Sequence, residues 1–110
     1  MNWMNRSLFE KHVMGGEVPV LVAFCASWCG YCRRLIPILK RLADRRRGEI
    51  LVGVMDNDTE PELFRQEQIE VLPTLVLYRK GRAIGSIVSP ESGARIDGFL
   101  DEVMEKTIIT

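Results

Sequence analysis

The sequence predicts an α/β fold: a central mixed β-sheet of four to five strands flanked by helices on both faces. Three observations predict it. Short apolar runs alternate with segments whose apolar residues recur at helical spacing, the pattern of parallel strands joined by crossover helices. Two runs, PVLVAFC at 19–25 and ILVGVM at 50–55, are almost continuously apolar, as strands covered on both faces are. The last two, TLVLYR at 74–79 and AIGSIV at 83–88, are joined through Lys80-Gly81, which reads as a hairpin and adds antiparallel edges. A chain of 110 residues has room for one core, so residues 1–110 are expected to form a single domain.

Taken in order, residues 1–5 (MNWMN) give a faint signal for an extra strand. Residues 7–14 (SLFEKHVM) read as a short helix, with Ser7 as N-cap and Phe9 and Val13 one turn apart. Gly15-Gly16 ends it, and His12 falls on its surface. From Cys29 to Arg47, the residues Leu35, Ile36, Ile38, Leu39, Leu42 and Ala43 recur at helical spacing. Pro37 lies inside this helix and is expected to kink it. Its basic end, Arg45-Arg46-Arg47, complements the helix dipole and reads as a solvated terminus, not a nucleic-acid site. Gly48 closes the helix. Asp58 or Thr59 caps a short helix running to about Gln68. Ser89-Pro90 opens the final helix with Pro in the first turn, and its buried stripe is Ile96, Phe99, Leu100, Val103 and Met104.

Composition narrows the function classes. Basic and acidic residues number 15 each, so no global charge points to nucleic acid. No apolar run is long enough to cross a bilayer, and the N-terminal MNWMNRSLFEKHVM lacks the apolar stretch and cleavage site of a leader. A cytoplasmic chain without a membrane or nucleic-acid partner is expected, and a monomer. All three cysteines, Cys25, Cys29 and Cys32, fall in one short segment, so they cannot staple distant parts of the chain.

Cys29 and Cys32 form a Cys-x-x-Cys directly after a buried strand and at a helix start. The unpaired N–H groups and positive dipole end there favour a thiolate. Cys29 is therefore the expected nucleophile. Cys32, one turn further in and shielded, is placed to attack a mixed disulfide at Cys29 and release a reduced substrate. A Cys-x-x-Cys also occurs as half of a zinc site, but a closed site needs four ligands, and only Cys25 and the distant His12 remain. No metal is expected.

Around this pair the chain resembles the thioredoxin family over nearly its whole length. The shared features are the strand followed by Trp28-Cys29-Gly30-Tyr31-Cys32, Pro37 five residues on, and Leu72-Pro73-Thr74 before an apolar strand. Phe9 and the Lys80-Gly81 turn also fit. The resemblance implies a thioredoxin-like fold and dithiol–disulfide exchange on disulfide-containing protein substrates, with electrons from a thioredoxin-reductase-type donor. The dithiol itself carries the two electrons, so no dissociable cofactor is implied. It further implies a cis Leu72–Pro73 bond packed against the cysteines. A groove bordered by Leu72, Pro73, Thr74 and Ser89 would bind substrate, and Trp28, Gly30, Tyr31 and Pro37 would shape the site. Two other readings stay open: a disulfide oxidase or isomerase, and a non-catalytic binding module on the same fold.

The sequence also departs from the family. Ala23 stands where thioredoxins usually carry a buried Asp, and Val54 where that Asp has its Lys partner. The two changes make sense together, because removing one partner of a buried pair costs about 3–5 kcal/mol, whereas an apolar pair is often neutral or stabilising. Cys25 takes a position where the family often has Trp, and strand alternation puts it on the face of Ala23. It reads as a small inert core residue, the sharper alternative being a third redox-active thiol. Ser89 replaces a groove Gly, and Gly30-Tyr31 replaces the common Gly-Pro, resembling the dipeptide of periplasmic disulfide isomerases.

Overall fold

The computed structural model describes residues 3–109, and side chains for residues 3–105. A two-residue strand β1 (Trp3–Met4) leads into α1 (Arg6–Phe9), which continues as a wider π-helical segment (Glu10–Met14). Then come β2 (Val20–Cys25), α2 (Gly30–Arg45), β3 (Leu51–Asp56), α3 (Pro61–Gln66), β4 (Thr74–Arg79), β5 (Arg82–Val88) and α4 (Gly93–Ile109). The sheet order is β1-β3-β2-β4-β5. β1, β3 and β2 run parallel, while β4 is antiparallel to β2 and β5 to β4. The mixed, helix-flanked sheet expected from the sequence is present. Of the faint N-terminal strand, Trp3–Met4 forms β1, and Met1 and Asn2 lie outside the described residues.

β2 is the central strand and is buried at every residue. Alternation divides it between two cores. Leu21, Ala23 and Cys25 pack with Leu35 and Leu39 of α2 and Ile96 and Leu100 of α4. Val20, Val22 and Phe24 pack with Phe9, Val13, Leu63 and Phe64 on the other face. Phe24 meets Phe64 edge-on, with ring centroids 5.0 Å apart. Each fully buried large side chain contributes about 1.5–3 kcal/mol. β3 is less covered than its apolar run suggests: Leu51 is exposed and Val52 half-buried. The reason is the short β1, which pairs only with Val54 and Met55 and leaves the first half of β3 without an outer neighbour.

Three helix starts differ from the sequence reading. Asn5, not Ser7, caps α1, its side chain accepting the Leu8 N–H at 2.9 Å. An Asn is as good a cap as Ser and starts the helix earlier. Neither Asp58 nor Thr59 caps α3. Both are held in the preceding turn by Asp56, through its Oδ1 at 3.1 Å and its carbonyl at 3.3 Å. Pro61 opens the helix, Glu67 closes it, and Gln68 lies beyond at φ +59°. α4 starts at Gly93 rather than at Pro90, with Ser92 Oγ accepting the Arg95 N–H at 3.1 Å. Ser89 at φ +45° is left-handed and cannot belong to a right-handed helix. The apolar stripe of α4 is as expected. Lys80 (φ +51°) and Gly81 (φ +79°) make the tight β4–β5 turn, where both positions need positive φ. No described helix is long and apolar enough to cross a membrane.

The basic end of α2 is only partly a solvated terminus. Arg45 and Arg47 are exposed, Arg47 in a pair with Asp44. Arg46, with 12% of its side chain exposed, reaches Asp97 at 2.9 Å and Glu49 and Asp101 at 2.7 Å, and Arg45 meets Asp97 at 2.7 Å. The network fastens α2 to α4. Burial opposes the charge on Asp97, but hydrogen bonds from Arg46 and then Arg45 outweigh it and hold the carboxyl below its ordinary 3.8. A depressed acid contributes stability that is fully present above its unfolded value and lost as pH falls through its folded one. Arg46→Ala should therefore cost about 2 kcal/mol near neutral pH, against less than about 1 for Arg47→Ala. Urea unfolding of both variants should show the Arg46→Ala deficit shrinking only in acid, below pH 3.8.

Candidate active site

β2 delivers the chain to the top of the sheet, and Ala26, Ser27 and Trp28 carry it into α2. Cys29 is the N-cap of α2, with extended backbone (φ −82°, ψ 116°). Its N–H donates to the Ala26 carbonyl and its own carbonyl accepts the Arg33 N–H, both at 3.1 Å. This places its sulfur where the first-turn N–H groups converge. The Cys32 backbone N–H is the largest influence lowering the Cys29 thiol below its ordinary value, followed by the Cys32 thiol. Burial opposes these two, and the Tyr31 N–H and the Arg34 guanidinium add smaller lowering effects.

Cys32 lies one turn below and is fully buried. Burial pushes its thiol up, opposed by a hydrogen bond from the Ala26 backbone. Cys25, on the last residue of β2, is also fully buried. Burial, then the neighbouring Cys32, pushes its thiol far up. Cys25 and Cys32 share one core cluster, and all three cysteines are free thiols. Ala23 shares their core cluster, as alternation predicts, and lies directly opposite Val54 in the β2–β3 register. The two positions that depart from the family pattern are thus neighbours, and both are buried and apolar.

The other side of the site comes from the loops around β4 and β5. The Leu72–Pro73 bond is cis. Leu72 is half-buried and borders the same core cluster as Cys29. Thr74 is buried and donates its hydroxyl to the Val71 carbonyl. The Pro73 carbonyl accepts the Ser89 N–H at 2.8 Å. Tyr31 extends its phenol oxygen to the Ser89 carbonyl at 2.9 Å and the Pro90 carbonyl at 2.7 Å. The structure therefore joins Tyr31, Pro73 and Ser89 in one hydrogen-bonded group.

Trp28 is 66% exposed, with its indole N–H donating to Asp58 Oδ1 at 3.3 Å. Gly30 is exposed on the first turn of α2, and Pro37 is exposed further along the same unbroken helix. Two contributors escaped the sequence reading. Asp58 was assigned to a helix cap and instead holds Trp28. Arg34 packs its guanidinium 5.6 Å from the Tyr31 ring centre, which the i, i+3 spacing of the pair signals. Among the described residues, no group of three His, Cys, Asp or Glu side chains is placed to hold a metal ion.

A thiol at the N-cap of a helix with a second, buried thiol one turn on is the arrangement found in thiol–disulfide oxidoreductases. Comparison with known proteins agrees. The chain matches the family model described as Thioredoxin over residues 1–102. It is 35% identical over 96 residues to a thioredoxin of Mycobacterium tuberculosis, covering 87% of this chain and 83% of the relative. Thioredoxin 1 of Nostoc sp. is 34% identical over 100 residues, 91% of this chain and 90% of that one. The bifunctional thioredoxin reductase/thioredoxin of Mycobacterium leprae is 34% identical over 96 residues, and the chain spans only 21% of its length. The chain belongs to the thioredoxin family and is a thiol–disulfide oxidoreductase.

The apolar floor has a measurable consequence. Ala23→Asp should lower folding stability by about 3 kcal/mol, because the new carboxyl finds no cation on Val54. Adding Val54→Lys in the same chain should recover part of the loss. Denaturant unfolding of the single and double variants gives the coupling energy, and strict additivity would contradict the pairing.

Proposed function

We propose that this chain reduces protein disulfides by dithiol–disulfide exchange, with Cys29 as the nucleophile and Cys32 as the resolving thiol. The split between the two sulfurs carries this reading: Cys29 is half-buried and favoured as a thiolate, whereas Cys32 is buried and held as a thiol. The Cys29 thiolate attacks one sulfur of the substrate disulfide. A Cys29–substrate bond forms, and the other substrate sulfur leaves as a thiolate and takes up a proton. Cys32 then loses its proton and attacks Cys29 Sγ, forming the Cys29–Cys32 bond and releasing the second substrate thiolate. Two electrons pass from the protein to the substrate, so the reaction needs no dissociable cofactor.

In this proposal Leu72, Pro73, Thr74 and Ser89 border the groove for an extended substrate segment, which pairs with the backbone at Leu72. Trp28, Gly30 and Tyr31 shape the approach to Cys29, and Pro37 shapes the helix behind it. A thioredoxin-reductase-type protein regenerates the dithiol. The relative whose name joins a reductase and a thioredoxin in one chain supports that partner. A monomer acting in the cytoplasm, where thiols are kept reduced, completes the proposal. The likeness to proteins named thioredoxin favours the reducing direction over oxidase or isomerase work. A pure docking module has no use for two sulfurs in such different settings.

Cys29→Ser should abolish reduction of a protein disulfide and yield no mixed disulfide. Cys32→Ser should accumulate a stable mixed disulfide at Cys29, since attack survives and resolution does not. Mass spectrometry of quenched reactions separates the two. Trapping in Cys29→Ser rather than in Cys32→Ser would reverse the roles.

A further inference from the structure

Ser89 is held in an unusual state. Its φ of +45° lies in the left-handed region, which costs a non-glycine residue about 1–2 kcal/mol. A strained residue persists only where its surroundings over-determine it. Here its N–H is bound to the Pro73 carbonyl and its carbonyl to the Tyr31 hydroxyl. The same hydroxyl lies 2.7 Å from the Pro90 carbonyl, so its single proton is shared between two acceptors on the loop. The Tyr31 ring is in turn flanked by Arg34. A continuous chain of bonds thus runs from the first turn of α2, through Ser89, to the cis-proline turn. Tyr31 is the one link in it that is a side chain, and its oxygen is the atom that reaches across.

We propose that the Tyr31 hydroxyl is a specificity-determining brace. It fixes the Ser89–Pro90 wall against the helix that carries both cysteines, and so sets the width of the groove in which a polypeptide disulfide must lie. This rests on the proposed reduction of protein disulfides in that groove. An extended segment paired with the backbone near Leu72 gains affinity from a wall already in place, because the ordering cost is met before binding. A small disulfide that touches only Cys29 gains little from it. The brace therefore acts on selection between polypeptide and small disulfides rather than on sulfur chemistry. Glycine at position 89 would adopt the same backbone without help. Serine there depends on the bonds that hold it.

The test uses Tyr31→Phe, which removes one oxygen and keeps the ring beside Arg34, with Tyr31→Leu as a second variant. Insulin serves as the protein disulfide and bis(2-hydroxyethyl) disulfide as the small one. Both variants should show KM for insulin raised about fivefold with little change in kcat, so that selectivity for insulin over the small disulfide falls about fivefold. Amide hydrogen exchange at Ser89 should quicken by about tenfold, reporting release of the wall. Equal losses on both disulfides would mean that the phenol acts on the sulfurs, and unchanged values on both would mean that the brace is idle. Either result overturns the proposal, as does an unaltered Ser89 exchange rate. Failure of the unmodified protein to reduce insulin would instead sink the reading of protein-disulfide reduction, and Ser89 exchange would then decide the brace alone.

Discussion

The site depends on one junction, where the buried end of β2 turns into the N-terminus of α2. Cys29 is the cap residue at that turn, and its sulfur meets the N–H groups that the helix leaves unpaired. Three residues later Cys32 is already inside the core. Two chemically identical side chains thus differ: the Cys29 thiol is lowered, chiefly by the Cys32 backbone N–H, and the Cys32 thiol is pushed up by burial. The two cores on either side of β2 matter because they keep this junction from moving.

The floor under the junction is apolar. Ala23, Val54 and Cys25 stand close to Cys32 with no carboxylate among them. Such a floor favours folding, since a buried ion pair gains little over well-packed apolar groups. It also removes a route for the Cys32 proton. In the proposed reaction the Cys32 proton would pass to water or to the departing substrate thiolate; the carboxylate nearest in register, Asp56, lies opposite Cys25.

Much of this was legible in the sequence, for physical reasons that differ by element. The β2 run and the α4 stripe declared themselves because burial on two faces, or on one stripe, dictates residue type at every position. The placement of the cysteine pair at a helix start was legible because the motif directly follows a buried strand. Helix starts were less so: Asn5, Glu60 and Ser92 compete with nearby Ser7, Asp58 and Ser89, and the winner depends on tertiary contacts. Arg46 was misread because its partners, Asp97 and Asp101, lie some fifty residues away. The Tyr31 phenol and the Trp28–Asp58 bond escaped for the same reason, since each joins segments that only the fold brings together.

The place of each cysteine at the β2–α2 junction sets the two thiols apart. The most direct measurement follows the Cβ carbon resonances of all three cysteines in the reduced protein as pH is raised. Cys29 should ionise first, below the ordinary thiol value of 9.0, Cys32 above it, and Cys25 later than either. Cys32 ionising before Cys29, or the two ionising together at an unshifted value, would contradict the account.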